Sequence, residues 1–372
     1  MNHKYCLFLF FSFISVTLHA QYVGLNQQEI KKLQRLIAAG TSGTSGATGA
    51  AEATRFYTPL LQVADKALTE TPNPIDTIRT EGLLKGNPRK TATALALTDM
   101  LRIYALALVY RITRDKKYLE KVGEYLHAWA TKNTPNGDPI DDTNLDNAIE
   151  AYDMIKNDLP SGEEALVKDW LKRTADIEIS SPRNNPSRST SYNNWHSHRL
   201  KIIGEIAFAI GDTALQNYTI RGLRAQVERN LNPDGSSIDF ASRDALHYHV
   251  YDLEPLLKLA IVLQRATGEN YYVYQSPTGS SIKKSVDWLV PYLDGQKTHP
   301  EFVNSTVPFD QQRAKNNEAD YKAGSLFDPR NGVKTLTLAA RFDGNLLPIA
   351  RKVLGTEDQY PVWQSVVNGL EK

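Results

Sequence analysis

Residues 91–113 read TATALALTDMLRIYALALVYRIT and carry the clearest signal for the fold class. The apolar side chains recur three and four positions apart, which is the period of one face of an α-helix. They are Ala94, Leu95, Leu97, Met100, Leu101, Tyr104, Ala105 and Leu108. The spacing predicts one amphipathic helix over 91–113. After a break at Arg114-Asp115, the residues from Tyr118 to Trp129 predict a second helix of the same kind.

The same pattern of helix, short break and helix recurs along the chain. Residues 203–210 break at Gly211-Asp212 and resume toward Leu231, and residues 253–266 break at Thr267-Gly268-Glu269. Each break carries an acidic residue that can cap the helix after it. Repeated antiparallel helix pairs, with few alternating runs, predict an all-α single domain over 21–372. Its expected architecture is an α/α toroid, either incomplete or closed.

The first twenty residues have the features of a secretory signal peptide. Lys4 precedes an apolar run over 7–16, and a small residue, Ala20, precedes Gln21. We expect cleavage near Ala20-Gln21 and a periplasmic or secreted protein. The single cysteine, Cys6, lies inside this segment, so the mature chain is expected to contain no disulfide. No membrane span is expected in the mature chain.

Charge and composition limit the partners. The chain has 43 basic and 42 acidic residues, and loss of Lys4 with the signal peptide makes these numbers equal. A neutral protein is a poor non-specific ligand for nucleic acid, so none is expected as a partner. A polyanionic substrate would need a local basic cleft. Residues 38–53, rich in Thr, Ser and Gly, predict a flexible low-complexity loop, either a surface loop or a lid.

Two short windows carry the chemistry. YNNWHSHR spans 192–199 and RDALHYHVY spans 243–251, and together they hold four of the eight histidines. The windows contain a possible base, a possible acid and several groups that can neutralise an anion. That set suits β-elimination at a carboxylated sugar. In this reaction a base removes the C5 proton, donors stabilise the enediolate, and an acid protonates the departing O4.

Roles follow from residue chemistry. His196 is the first candidate for the base, because the reference pKa of histidine is near neutrality. Tyr251 is the first candidate for the acid, and it can serve as base too if a cation lowers its pKa. Asn193 and Asn194 are amide donors suited to the carboxylate. Arg243 lies eight residues before Tyr251, which on one helix would place both on the same face.

Further candidates for binding an anionic polysaccharide surround this set. They are Asn193, His198, His247, Tyr248, Asn144, Lys85, Arg89 and Lys90. A zinc site is the alternative for the four histidines. However, each pair is spaced i, i+2, so the side chains diverge on a helix, and no HExxH pattern is present. We therefore expect no metal and no cofactor.

These motifs resemble a known group. NNWHSH at 193–198, PDGS at 233–236, the 243–251 window, TNLDNAIEAYD at 143–153 and YRITRDKKYL at 110–119 are similar to the alginate lyase superfamily. The resemblance covers roughly 74–268. It is closest to polysaccharide lyase family 38, with the alginate lyases of family 5 more distant.

The resemblance implies an α/α toroid with a tunnel or cleft and metal-independent β-elimination. It implies His196 and Tyr251 as the catalytic pair, Asn194 as a neutraliser of the carboxylate and Arg243 as a supporting cation. The chain departs from related lyases at one point. They read Asn-Asn-His, whereas here a tryptophan precedes His196, so that His198 remains a rival for its role.

The sequence thus predicts an exported polysaccharide lyase acting on a 1,4-linked polyuronate. Alginate is the first substrate, with poly-mannuronate favoured, and glucuronan is a close rival. A toroid-type glycoside hydrolase with paired carboxylates among Asp138, Asp141 and Asp142 stays open. A non-catalytic polysaccharide-binding protein is the third possibility.

Overall fold

A computed structural model describes residues 20–41, 49–355 and 363–370. These residues form 17 α-helices joined by turns and short 3-10 segments. The helices are α1 (Gln27–Thr41), α2 (Ala50–Ala67), α3 (Pro88–Ala96), α4 (Thr98–Thr113), α5 (Lys116–Lys132), α6 (Pro139–Asp142), α7 (Asp146–Ile155), α8 (Ser161–Ser180), α9 (Asn194–Ile210), α10 (Thr213–Asn230), α11 (Ile238–Arg243), α12 (Leu246–Thr267), α13 (Ile282–Leu293), α14 (Pro308–Lys315), α15 (Val333–Ala339), α16 (Leu346–Leu354) and α17 (Trp363–Leu370). Within the described ranges there is no β-strand, and two isolated bridges join Leu231 to Ser237 and Pro300 to Leu326.

The helices form a closed ring. Helix α4 contacts α7, α7 contacts α9, α9 contacts α12, and α12 contacts α15. Helix α17 then contacts α15, α1 and α2, while α2 contacts α4 and completes the circle. Helices α5, α8, α10 and α13 pack against this ring. One continuous apolar cluster draws residues from α1 to α17. The all-α, single-domain toroid predicted from the sequence is confirmed.

The inner helices are buried on all sides. In α9 every residue from Ser197 to Ile210 is buried, and in α4 every residue from Ile103 to Arg111 is buried. Helices surrounded by other helices lose the single apolar stripe that a surface helix shows. The predicted amphipathic helix at 91–113 is therefore wrong in two respects. It divides into α3 and α4 at Leu97, and its second half is buried all round.

Two of the three predicted acidic caps are present. Asp115 accepts a hydrogen bond from the Lys117 amide at 3.1 Å and begins α5. Asp212 accepts from the Leu215 amide at 3.0 Å and begins α10. Glu269 caps no helix, because an irregular segment separates the end of α12 from α13.

Two predictions for the N-terminal part of the chain, the signal peptide and the low-complexity loop, concern residues that the structure describes only in part. The predicted signal peptide covers residues 1–20, of which 1–19 lie outside the described residues. Of the predicted loop at 38–53, residues 38–41 belong to α1 and 50–53 belong to α2. Its middle part, 42–48, lies outside the described residues.

One described stretch, Pro88–Thr113, is long and apolar enough to cross a membrane by length and composition alone. Its apolar window is 61% buried inside the protein. Helix α4, which forms most of this stretch, packs against α2, α5 and α7. This degree of burial is typical of a core helix.

The segment before α1 is held by a buried carboxylate. Asp153 Oδ2 accepts hydrogen bonds from the backbone amides of residues 22–24 at 2.9–3.0 Å. Its other oxygen pairs with Lys156 Nζ at 2.7 Å, and both side chains are buried. Asp153 therefore fastens the N-terminal segment to α7, which belongs to the inner ring.

We expect Asp153→Ala to lower the free energy of unfolding by about 3–5 kcal/mol, because the change leaves a buried ammonium without its counter-ion. Chemical denaturation followed by circular dichroism measures this. Asp158→Ala is the matched control, since its ion pair with Arg114 is partly exposed and such pairs contribute about 0–1 kcal/mol. Equal losses in both variants would contradict the anchoring role of Asp153.

Candidate active site

The first window begins helix α9. Asn193 caps the helix by accepting a hydrogen bond from the Trp195 amide at 3.0 Å. His196 and His198 are two positions apart, so their side chains leave the helix about 200° apart. Only His198 reaches the centre of the ring, where it lies against Tyr251. His196 points away from Tyr251, and its pKa is lowered by burial and by Arg199 and Arg229.

His198 and Tyr251 form the closest pairing between the two windows. Their ring centroids are 4.4 Å apart and their planes are tilted by 39°. His198 Nδ1 lies 3.0 Å from Thr143 Oγ1. His198 Nε2 is buried and makes no hydrogen bond within the part of the chain that the structure describes. One ring nitrogen is thus oriented by Thr143, while the other is buried beside Tyr251, whose backbone acts to raise the pKa of the imidazole.

The pair lies on the wall of a cavity of about 410 Å³, which we call the central cavity. Polar side chains from α7, α9, α12 and α15 contribute most of its lining. The lining residues are Thr80, Ile140, Thr143, Asn144, Asp146, Asn147, His198, Lys201, Tyr251, Glu254, Pro255, Lys258, Lys334 and Leu338. A concave site with convergent polar and titratable groups is the place to look for catalysis.

Two further cavities adjoin the central one. A cavity of about 230 Å³, lined by His247, Val250, Asp320 and Asn331, shares Tyr251 and Glu254 with it. An apolar cavity of about 610 Å³ near Trp363 shares Asp146, Asn147, Lys258 and Lys334 with it. A larger cavity, about 780 Å³, lies against the segment before α1 and contains no residue of either window.

Burial keeps both members of the pair neutral at rest. It lowers the pKa of His198 to about 3, and the nearby charges of Lys201 and Lys334 act in the same direction. Burial also raises the pKa of Tyr251 above its usual range, as do the charges of Glu81 and Glu254. The free protein therefore presents a neutral imidazole and a protonated phenol at neutral pH.

The lysines deep in the central cavity are already neutralised. Lys201 Nζ contacts both carboxylate oxygens of Asp146 at 2.5 and 2.6 Å. Lys258 Nζ lies 3.0 Å from Asp146, 2.8 Å from Glu150 and 3.4 Å from Glu205. Burial, reinforced by Asp146, raises the pKa of Glu205 to about 8, so this carboxyl is protonated at neutral pH. The two positive charges of Lys201 and Lys258 are then balanced by the two negative charges of Asp146 and Glu150.

Arg243 does not share a helix with Tyr251, so that part of the prediction is wrong. Helix α11 ends at Arg243, and Asp244 follows with a left-handed φ of 48° before α12 begins. Arg243 instead pairs with Asp310 at 2.5 Å and lies 3.7 Å from the centroid of the Tyr248 ring. The Tyr248 hydroxyl accepts a hydrogen bond from Arg313 at 2.8 Å. Arg243 thus contacts the Tyr248 ring, which lies between it and Tyr251.

Asn194 lies outside the central cavity. Its backbone amide donates to Asp239 at 2.8 Å, and its side-chain amide donates to the other oxygen of the same carboxylate. Asn230 also donates to Asp239, at 2.9 Å. Only 1% of Asn194 is exposed. These contacts tie the start of α9 to α10 and α11 and leave the Asn194 amide no access to a ligand.

The other predicted binding residues divide between the cavities and the rest of the protein. Asn144 lines the central cavity, although its amide nitrogen already donates to the carbonyls of Ile140 and Asp141. His247 lies in the adjoining small cavity, with ring contacts to Tyr248, Phe302 and Tyr321.

The predicted basic cluster lies away from these cavities. Lys85 and Arg89 are exposed, Lys90 donates to the carbonyl of Leu83, and none of the three lines the central cavity or the small cavity. The backbone of Lys85 instead contacts Glu318 and Asn316.

The four histidines have separate surroundings. His249 is enclosed between the Ser237 hydroxyl and the Ser285 carbonyl, at 3.0 and 3.1 Å. Over the described ranges, no group of three His, Cys, Asp or Glu side chains is arranged to hold a metal ion.

Several cavity residues were absent from the sequence-based set. Lys201 follows His198 by three positions, and Glu254 and Lys258 follow Tyr251 by three and seven, so helical periodicity places them on the same faces. That signal is readable from the sequence when the positions are counted from His198 and Tyr251. Lys334 comes from α15, and no local pattern connects it to the windows.

The family model for alginate lyase matches residues 51–299, which is more than half of the chain. The chain belongs to the alginate lyase family. This membership makes it a polysaccharide lyase and confirms the predicted enzyme class. The assignment to family 38 rather than family 5 stays a prediction.

Solved structures of alginate lyases share the fold. An alginate lyase from Bacteroides ovatus aligns with a TM-score of 0.63 and 17% identity, over 87% of this chain and 93% of that one. Alginate lyase A1-III from Sphingomonas species A1 aligns with a TM-score of 0.56 and 19% identity, over 85% and 95%. A histidine-to-alanine variant of A1-III in complex with a tetrasaccharide aligns with a TM-score of 0.56 and 19% identity, over 87% of each chain. The comparison with curated proteins gave no significant match.

The neutral state of His198 can be observed directly. We expect its Cε1–H resonance to stay constant between pH 8 and pH 5, because burial lowers the pKa to about 3. Carbon-detected NMR of histidine-labelled protein, with the signal assigned by its loss in His198→Gln, measures this. In urea the same proton should titrate near 6.5. Titration near 6.5 in the folded protein would show that His198 is open to solvent.

Proposed function

We propose that this protein cleaves alginate by β-elimination, with poly-mannuronate as the preferred block and His198 and Tyr251 as the reacting pair. The observation that carries the proposal is the 4.4 Å contact between these two rings on the wall of the central cavity. Membership of the alginate lyase family supports the reaction class. The proposal replaces His196 with His198 as the histidine of the pair.

The resting protonation states suit the chemistry. His198 is neutral and its Nε2 has no partner among the described residues, so it can accept a proton. Tyr251 is protonated and can give its proton to the departing O4. If His198 first takes the phenolic proton, the tyrosinate can remove H5 and return that proton to O4. In either order the bond between C4 and its oxygen breaks, and a C4–C5 double bond forms.

The spacing of the pair favours elimination on one face of the sugar. A sugar ring held between two side chains needs about 7 Å, which is two van der Waals contacts of about 3.5 Å. With centroids 4.4 Å apart, no sugar fits between His198 and Tyr251. Both must therefore act from the same side. Mannuronate presents H5 and O4 on one side, whereas guluronate presents them on opposite sides.

The acids proposed for a hydrolase have structural partners. Asp141 accepts hydrogen bonds from the backbone amides of Thr80 and Glu81 at 2.6 and 3.0 Å. Asp138 caps α6, and Asp142 is buried beside Glu178. None of these three aspartates lines the central cavity. Export to the periplasm or medium, and glucuronan as a second substrate, remain parts of the proposal that rest on the sequence.

We expect His198→Ala and Tyr251→Phe each to lower kcat on poly-mannuronate about 10²- to 10⁴-fold, which is the usual contribution of a general acid or base. Ultraviolet absorbance of the new C4–C5 double bond measures the rate. His196→Ala tests the alternative pairing and should lower kcat less than about fivefold. A loss in His196→Ala equal to that in His198→Ala, with both variants folded, would restore His196 to the pair.

We expect the wild-type protein to cleave poly-mannuronate at least about tenfold faster than poly-guluronate, because the pair acts from one face of the sugar. Parallel absorbance assays on poly-mannuronate, poly-guluronate and glucuronan, all with chelator present, make the comparison. Faster cleavage of poly-guluronate would contradict the one-face arrangement. Reducing ends without absorbance would indicate hydrolysis, and polymer binding without either signal would indicate a binding protein.

A further inference from the structure

An ion pair lies across the central cavity next to the proposed reacting pair. Lys334 Nζ is 2.7 Å from Glu254 Oε2. Glu254 is on α12, one turn after Tyr251, and lines both the central cavity and the small cavity of His247. Lys334 is in the first turn of α15, across the cavity, and is close enough to His198 for its charge to contribute to the lowered pKa of the imidazole.

Lys334 differs from the other two lysines of the cavity in its exposure. Its side chain is 67% exposed, against 4% for Lys201 and 24% for Lys258. Those two lysines contact Asp146, and Lys258 also contacts Glu150 and Glu205, so a ligand would have to break buried ion pairs to reach them. The Lys334 ammonium has three donors, and its ion pair is the kind that water and salt weaken easily.

The residues that the resemblance implies as carboxylate neutraliser and as supporting cation are engaged elsewhere. The Asn194 amide donates to Asp239, and the Arg243 guanidinium pairs with Asp310. Neither residue lines the central cavity. A uronate bound beside His198 and Tyr251 therefore needs a different cation, and one that can exchange its partner.

We propose that Lys334 binds the carboxylate of the uronate substrate in the central cavity, and that Glu254 is the counter-ion that this carboxylate displaces. The inference rests on the proposed function, since it takes a uronate as the ligand. In the free protein Glu254 keeps the lysine neutralised and oriented. When the substrate carboxylate takes the place of Glu254, the ammonium lies where negative charge develops as the enediolate forms.

The exchange of Glu254 for the substrate carboxylate also explains how the cavity would select uronates over neutral sugars. A sugar acid has a carboxylate that can compete with Glu254 for Lys334. A methyl ester or a neutral hexose has only dipoles, so the ion pair between Lys334 and Glu254 stays intact. Displaced Glu254 remains a negative charge close to the bound polymer. Glu254 therefore excludes weakly binding ligands, because only a correctly placed carboxylate can displace it from Lys334.

The test compares Lys334→Met with wild type on poly-mannuronate at low salt. We expect KM to rise about tenfold, the loss typical of one charge-assisted hydrogen bond. Lys334→Arg should keep KM close to the wild-type value, because the cation is retained. Lys283→Met is the matched control, because Lys283 forms an exposed ion pair with Asp287 at 2.6 Å on α13 and lines none of the three connected cavities. It should leave KM within twofold of wild type.

Glu254→Gln tests the exchange itself. Removal of the competing carboxylate should lower KM about two- to threefold and weaken its dependence on salt. Short mannuronate oligomers and their methyl esters complete the test, since Lys334→Met should bind acid and ester equally. An unchanged KM in a folded Lys334→Met variant, or a rise of KM in Glu254→Gln, would overturn the inference.

The design separates this inference from the proposed function. If wild type raises the absorbance and Lys334→Met behaves like wild type, only the lysine assignment fails. If wild type cleaves no uronate polymer, the proposed function fails. Calorimetry with mannuronate oligomers then tests separately whether Lys334 binds the uronate carboxylate. Weaker binding to Lys334→Met than to Lys283→Met would support the inference, and equal binding would overturn it.

Discussion

The close approach of α9 to α12 is the constraint on which the site depends. Gly204 lies in the contact, where an added Cβ would be 2.5 Å from Leu259 Cδ1 and 2.7 Å from Thr219 Cγ2. A larger residue would force the helices apart, because interiors are close-packed. His198 lies on α9 and Tyr251 on α12, so their 4.4 Å contact follows from the packing of the two helices. Rigid helices, rather than loops, therefore hold His198 and Tyr251 in contact.

The second constraint is electrostatic. The centre of the ring holds two lysines and three acids with little access to water, an arrangement that is stable only when the charges balance. Protonation of Glu205 provides that balance. As a consequence the deep lysines are poor ligands for a polyanion, although their number suggests a cationic cleft. Among the described residues, Lys334 is 67% exposed and pairs with Glu254 alone, whereas Lys201 and Lys258 are held by Asp146 in the interior.

Predictions from the sequence succeeded where the signal was local. Helical period, the acidic residues at Asp115 and Asp212, and the clustering of histidine with tyrosine all depend on neighbours along the chain. Those signals predicted the helical fold and put Tyr251 among the candidate residues. In the structure, however, His198 rather than His196 contacts Tyr251, and Arg243 lies on a different helix from Tyr251. One extra residue before the histidine rotates its side chain by about 100° around the helix, and a left-handed Asp244 divides what looked like one helix.

Residue type and spacing along the chain are enough to indicate the helices, the toroid class and the chemistry available in the two windows. Packing between distant segments establishes that His198 rather than His196 contacts Tyr251, which amides and arginines already have partners, and which of the cavity lysines is most exposed. Those outcomes depend on contacts between residues far apart in the chain, such as Lys334 with Glu254 and Asn194 with Asp239. Burial then sets the charge of each group, and burial is a property of the packed ring.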